Sequence, residues 1–541
     1  MRTGASRVRV CALVLAAGLA LSAGAESFVT LFGGAECVGG SSALVENGET
    51  RVLVDCGSLY SEERSDEDRR DATVQFGFDP RAVGDLLITH AHQDHAGRVP
   101  QLVRAGFAGR IWMTEPTLCV LSIVWRSQMR YDDAVRAWKW SEGRRQKRRT
   151  AHWRDDCSWA AKIDAKNLRS FTGVFDALEK HICEEVGADT PVVLCRTCQE
   201  LELGDILKRV RTVEFGKPFA IGPFTVAFSP VKHLPGAAAI RFSDGEASWV
   251  FSGDLGTLRS RLTTRLEPAE KSDVVFVEST SGDHADVDAE AVEAERRRFR
   301  RIVGEAVKAG GIAWIPAFAV DRTQRVLMEI ARGQEEGLVP RDVPIHYLSS
   351  SSREVTREYL AHGEWFDQGG VGEIAGLVKS SARTFDAERS VGRAAILLTT
   401  SGMMDAGASY GLLPSLAPRG DVTVCLVGYQ APNTCGGRLK AGERTLKVVS
   451  AGERKDVAVG CRVESFGCFS GHADAREVER WLANNLQSKI YLVHGDPASL
   501  EERRKGLADR LGVDVEIARR GRKYAMKPRG QRQEDAACGT R

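Results

Sequence analysis

The residues best able to do chemistry stand together in Thr89-His90-Ala91-His92-Gln93-Asp94-His95-Ala96-Gly97. Three histidines and one aspartate fall within six residues, in a chain with only 11 histidines among 541 residues. Imidazole and carboxylate suit zinc and other first-row divalent metals. Four donors on one turn are too many for one tetrahedral site without strain, so the spacing suggests two adjacent metals sharing them. The bland alternative is a His-rich surface loop.

The apolar run Asp85-Leu86-Leu87-Ile88 leads straight into this cluster and reads as a short buried strand, with Ala96-Gly97 as a turn. The cluster therefore belongs on a loop at a strand's C-terminal end. Three later strand-like runs also deliver a polar residue at that end: Phe224 to Phe228 leads to His233, Trp249-Val250-Phe251 to Asp254, and Asp273 to Val277 to Glu278. Any one could be a turn; the series reads as a ligand set completed at one edge of a sheet. Phe28 to Ser58 reads as two strands around a Gly-rich turn, Gly33 to Ser41, that lacks the Gly-Lys-Ser/Thr of a phosphate loop. The second of these strands ends at Asp55, where a carboxylate can orient a histidine from behind. Far downstream stand His472, before a helix from Ala475 to Asn484, and His494, after the strand Ile490 to Val493. Taken alone, the first would cap a helix as readily as catalyse, and the second would simply end a strand.

Between these parts, a helix over 286–309, a strand over 312–317, a helix over 321–333 and strands over 394–398 and 422–427 give α/β patterning, expected for an inserted parallel-sheet domain. The length implies two or three domains. Hydrophobic content of 43% and charge of 27% describe a soluble globular chain, and a net charge of +2 excludes no partner class. The 13 cysteines, an odd number scattered through apolar strands, read as free buried thiols rather than a disulfide framework.

Residues 121–201 differ. They hold five of the ten tryptophans (Trp125, Trp138, Trp140, Trp153, Trp159) and the run Arg144-Arg145-Gln146-Lys147-Arg148-Arg149. Rings interleaved with basic side chains suit single-stranded nucleic acid; an amphipathic insert with core tryptophans and solvated arginines fits as well. Cys157, Cys183, Cys195 and Cys198 form a candidate structural zinc site, although a second CxxC is missing. At the N-terminus, Arg2, Arg7 and Arg9, the apolar run Cys11 to Leu21 and Ala23-Gly24-Ala25 have the form of a secretory signal, too short to span as a stable membrane helix. If residues 1–25 are removed, the protein is exported to the periplasm; if they are a mis-assigned start, it is cytoplasmic. From Arg519 onward the chain reads as a polar, basic, disordered tail.

These residues together resemble a metallo-β-lactamase-fold hydrolase of the β-CASP group, which includes RNase J-like nucleases and the endonuclease subunit of the cleavage and polyadenylation machinery. Asp55, His90-x-His92-x-Asp94-His95, His233 and Asp254 match the superfamily's motifs; Glu278-Ser-Thr, His472 and His494 match those peculiar to the β-CASP group. Ile315 to Gln324 and Ser401-Gly402-Met403-Met404 resemble its inner domain. Two departures are Lys232, where a glycine is usual, and Ala237, where a small hydroxyl residue is usual.

The resemblance implies an α/β fold, an αββα sandwich over 26–282 and 461–522 interrupted by a β-CASP domain over 283–460, with a basic tail at 523–541. It implies two zinc ions, one taking His90, His92 and His233, the other Asp94, His95 and His494, with Asp254 bridging. Asp94 counts also as a catalytic carboxylate. Asp55 stands behind the ligands, and His472 is a general acid positioned by Glu278. The implied activity is a binuclear zinc-dependent ribonuclease acting on single-stranded RNA, without stable membrane insertion and with room for a homodimer. The rivals are an exported hydrolase of another phosphodiester or ester, and an RNA-binding scaffold without catalysis.

Overall fold

A computed structural model describes residues 25–59, 76–143, 196–260, 262, 266–283, 288–366, 371–450 and 453–528, with the backbone alone at 131–143, 196–198, 450 and 453. Strands are numbered along the chain. The first sheet has seven strands in the order β21 (Lys523–Met526), β1 (Ser27–Gly33), β2 (Ser42–Asn47), β3 (Thr50–Val54), β4 (Asp85–Leu87), β5 (Arg110–Thr114) and β6 (Val210–Val213). The second runs β20 (Val515–Ile517), β19 (Lys489–Val493), β11 (Val274–Glu278), β10 (Ser248–Phe251), β9 (Ala238–Ser243), β8 (Phe224–Pro230) and β7 (Phe219–Ile221).

Alternation along the strands explains how the two sheets pack. Val29, Leu31, Val45, Val52 and Val54 from the first meet Phe224, Val226, Phe228, Ile240, Phe242 and Trp249 from the second in one core. Their neighbours one residue along, such as Leu44, Leu53, Val250 and Val275, join the other core, which also takes in helical residues such as Leu102, Val103 and Leu500. A period of two thus gives each strand one face toward the partner sheet and one toward helices, the expected αββα arrangement.

The third sheet is all parallel and five-stranded, in the order β13 (Ile345–Tyr347), β14 (Ala395–Thr399), β12 (Ile312–Pro316), β15 (Val422–Leu426) and β18 (Arg462–Ser465). Its central strands are buried along their whole length, which is why they read as continuous apolar runs. A hairpin, β16 (Thr445–Ser450) with β17 (Glu453–Ala458), lies beside it in sequence. The chain enters this unit after β11 and returns to pair β19 alongside β11 in parallel register, Glu278 opposite Val493.

Several sequence expectations change. Phe28 to Ser58 forms three strands rather than two, because Asn47 to Thr50 makes a tight turn that pairs β2 with β3. The residues after Arg519 do not all form a tail: Lys523–Met526 pairs antiparallel with β1 from Ser27↔Met526 to Thr30↔Lys523, and Tyr524 is buried with its hydroxyl accepting from Arg519 N at 2.8 Å. In the 121–201 insert, a helix already begins at Glu115 and runs to Gly143, and Arg196–Arg209 forms another, joined to the main body by the Arg104–Glu202 ion pair at 2.5 Å. Trp125 is wholly buried and donates to Ala96 O at 2.8 Å, so this ring belongs to the core. The basic run 144–149, Trp153, Trp159, Cys157, Cys183 and Cys195, the signal-like residues 1–24 and the end of the tail, 529–541, lie outside the described residues, as do the side chains of Trp138, Trp140 and Cys198. Cys56, Cys119, Cys425, Cys435, Cys461 and Cys468 form no disulfide. No helix among the described residues is long and apolar enough to cross a membrane.

Replacing the buried Tyr524 by alanine should cost about 3–5 kcal/mol, as for other large aromatic truncations, read as a lower urea midpoint. An unchanged midpoint would show that β21 adds nothing to the sheet.

Candidate metal centre

Every polar residue predicted at a strand end arrives on one side of the sandwich, because the parallel strands β3, β4, β10, β11 and β19 all end there. The structure gathers the predicted donors into two groups: His90, His92, His233 and Asp254, and Asp94, His95, His494 and Asp254. Within each group one atom per residue lies within 4.8 Å of the others. Asp254 belongs to both. Its Oδ2 faces His90 Nε2 and His233 Nε2, each at 3.5 Å, and its Oδ1 faces His95 Nε2 at 3.1 Å and His494 Nδ1 at 3.5 Å.

Whether these residues fit metal ions can be judged from the donors themselves. Both Asp254 oxygens are buried and receive no hydrogen bond, a costly state for a carboxylate unless a cation supplies the contact. The histidine nitrogens point at one another: His90 Nε2 to His92 Nδ1 at 3.2 Å, His233 Nε2 to His92 Nδ1 at 3.1 Å, and His95 Nε2 to His494 Nε2 at 3.2 Å. Lone pairs aimed at a shared point in this way suit a Lewis acid better than a proton. Burial holds His90 and His233 well below the usual imidazole range, so they are neutral and able to donate. Asp254 is pushed up by burial but pulled well below the usual carboxylate range by the surrounding histidines. The donor set fits.

The opposite ring nitrogens are held from behind, as metal-binding imidazoles require. Asp55 Oδ2 sits 2.7 Å from His95 Nδ1, and the same carboxylate accepts from Thr89 N and Thr89 Oγ1, both at 2.8 Å. His233 Nδ1 donates to Gly471 O at 3.3 Å. His494 Nδ1 meets Thr280 Oγ1 at 2.9 Å, and Thr89 Oγ1 lies 3.1 Å from His90 Nδ1. The roles of Thr89 and Thr280 are not visible in the sequence; the only signal is a hydroxyl residue adjoining His90 and another two residues after Glu278.

Backbone strain concentrates here. Asp55, Lys232 and His494 all adopt left-handed φ, at 60°, 59° and 53°. For a side chain larger than glycine this costs on the order of 1–2 kcal/mol. A glycine, which the resemblance leads one to expect at position 232, would adopt that conformation without strain. Gly256 also has a steric reason: a Cβ there would collide with the Lys232 carbonyl group and His233 N.

Glu278 is not a bare donor. Its Oε1 accepts from Leu255 N at 2.9 Å and lies 3.1 Å from His472 Nδ1, and its Oε2 accepts from Thr280 N at 3.1 Å. Burial works against the His472 imidazolium, but the carboxylate beside it more than offsets this, raising His472 to about 9. His472 Nε2 then points back toward Asp254 Oδ2, 4.0 Å away. Its loop is fixed by Thr257 N donating to Gly471 O and Ala473 N donating to Leu255 O. A cavity of about 1320 Å³ opens over the site, lined by His92, Asp94 and His472 on one side and by Phe318, Asp321 and Tyr429 of the inserted unit on the other.

Family models match in three places: the metallo-beta-lactamase superfamily over residues 35–117, the Beta-Casp domain over 323–439, and a Zn-dependent metallo-hydrolase RNA specificity domain over 456–518. The chain is a β-CASP hydrolase of the metallo-β-lactamase superfamily. The β-CASP hydrolase is 27% identical over 504 residues to ribonuclease TTHA0252 of Thermus thermophilus, covering 91% of this chain and 98% of that one. It is 26% identical over 491 residues to the transcription termination factor FttA of Methanocaldococcus jannaschii, and 25% identical over 489 residues to that of Methanococcus maripaludis. The matches span 86% of this chain in both cases, but only 67% and 66% of the archaeal proteins. The RNA specificity model takes in both His472 and His494, and the superfamily model the whole His90–His95 cluster.

Asp55→Ala in this β-CASP hydrolase should weaken divalent-metal affinity roughly 10- to 100-fold, measured by competition with a chelator. Unchanged affinity would show that His95 needs no partner behind it.

Proposed function

We propose that the chain is a binuclear zinc-dependent ribonuclease that hydrolyses phosphodiester bonds of single-stranded RNA. The observation that carries this reading is Asp254, whose two unbonded oxygens each face a separate group of imidazole and carboxylate donors. One ion would be held by His90, His92 and His233, the other by Asp94, His95 and His494, with Asp254 between them. Bound zinc at such a pair supplies Lewis acidity and an activated water for an in-line phosphoryl displacement. RNA as substrate is supported by the RNA specificity model over 456–518 and by the name of the Thermus relative, which the chain matches almost end to end.

The chain's own groups supply the proton. His472 keeps Nδ1–H on Glu278 and presents Nε2 to the cavity. A charged imidazolium held in that orientation protonates the departing ribose oxygen as the P–O bond breaks. Glu278 is itself fixed by Leu255 N and Thr280 N, so the acid cannot swing away from the scissile bond. Asp94 contributes its charge beside His494, 3.4 Å away.

Metal analysis of the purified protein should find about two zinc ions per chain, and one or none would overturn the binuclear reading. His472→Ala should slow cleavage of end-labelled RNA by roughly 10²–10⁴-fold, the usual contribution of a general acid, with zinc content unchanged. Full activity in that variant would remove His472 from the mechanism.

A further inference from the structure

The cavity has a second wall whose composition the metal chemistry does not explain. In the third sheet β12 lies between β14 and β15, so the loops after all three strands meet at one edge. The loop after β12 carries Phe318; the loops after β14 and β15 carry Gly402 and Gly428. A Cβ added at Gly402 would stand 2.9 Å from Phe318 N and 3.1 Å from its Cδ1, and one at Gly428 would stand 2.9 Å from its Cε2. Real Cβ atoms do not approach so closely, so the two loops close on both flanks of the ring only because each presents glycine. Gln430 Nε2 ties those loops together, donating to Gly402 O at 2.9 Å and Gly428 O at 3.2 Å. The Phe318 carbonyl is fixed in turn by Thr323 Oγ1 at 2.7 Å.

Such a mount would be ordinary for a core ring, but Phe318 is not in the core. Trp314, on the strand before it, is fully buried, whereas Phe318 stays partly exposed and lines the cavity shared with Asp94 and His472. Next to Gly428, Tyr429 lines the same cavity and is 47% exposed, one of few large hydrophobic side chains so open among the described residues. Two aromatic rings kept in water beside a phosphodiester-cleaving centre have the properties of stacking surfaces. Every nucleobase offers a π face, whereas a duplex has already stacked its own.

We infer that Phe318 and Tyr429 form a platform on which unpaired nucleobases of the substrate stack, making the cavity selective for single-stranded nucleic acid. The inference rests on the nuclease reading and deepens it: the metal-site side of the cavity handles phosphate, and the inserted unit handles bases. The glycines at 402 and 428 hold Phe318 rigid, so little ordering is left to occur on binding.

The test uses the full-length, zinc-loaded H472A protein, in which cleavage is slow, and fluorescence anisotropy with a labelled single-stranded RNA and an abasic strand of the same length. The base-bearing strand should bind more tightly, by roughly 5- to 150-fold per stacked base. Phe318→Leu and, separately, Tyr429→Ala should each shrink that preference, while Phe318→Tyr should keep it. Tyr429 is half-exposed, so its removal reports on stacking even if Phe318→Leu fails to fold. Equal binding of the two strands, or an undiminished preference in Tyr429→Ala together with any folded Phe318→Leu protein, overturns the platform alone. Binding of neither strand overturns the nuclease reading and the platform with it. Repeating the comparison with single-stranded DNA separates base stacking, which persists, from recognition of the ribose hydroxyl, which would abolish binding and refute stacking as the basis of selectivity.

Discussion

Asp254 places a carboxylate at 1% exposure among histidine rings, and neither of its oxygens receives a hydrogen bond. An ionised group in that position is tolerable only if opposite charge is supplied locally. Much of the surrounding structure follows from this need. Four rings turn one nitrogen inward and have the other held by Asp55, Thr89, Thr280 or a loop carbonyl. Three residues beside or within this cluster accept left-handed backbone to reach their places. Residues held in such conformations persist where the surroundings over-determine them, and here the surroundings are two packed sheets.

The sheets also explain why donors so distant in sequence meet. Parallel strands all end on one side, so each strand that ends in a polar residue adds to the same cluster. The five-stranded unit is spliced between β11 and β19, which are neighbours in the second sheet. An insertion at such a point leaves the sandwich's own pairing intact and sets the new unit across the metal donors. One cavity therefore has walls from two separately built sheets.

The donors in His90 to His95 were legible because they are local: four ligating residues within six positions leave few other readings. His233, Asp254 and Glu278 were legible as strand ends, since a buried apolar run that stops at a polar residue repeats along the chain. Thr89 and Thr280 were not assigned roles, because a hydroxyl near a histidine has no sequence signature; only the fold brings Thr280 to His494, 214 residues away. Lys232 looked like a departure, and its left-handed φ shows what the usual glycine would provide at that position. Lys523–Met526 reads as tail in the sequence because four residues in a basic setting carry almost no strand signal. The pairing comes from the open edge of β1, not from the segment's own propensity. The glycine cradle around Phe318 is equally hidden, since it needs three loops spread over more than a hundred residues to converge.

The splice between β11 and β19 sets an order on the protein's biogenesis. A chain emerging from the ribosome acquires the His90 to His95 loop, His233 and Asp254 first, then must make the whole inserted unit before Lys489–Val493 can seat beside β11 and bring His494 into place. Until that late strand docks, the second donor group lacks a member and the first sheet lacks its β21 edge. A nascent chain therefore carries the first group of donors for as long as it takes to make the inserted unit, without the second group that His494 completes.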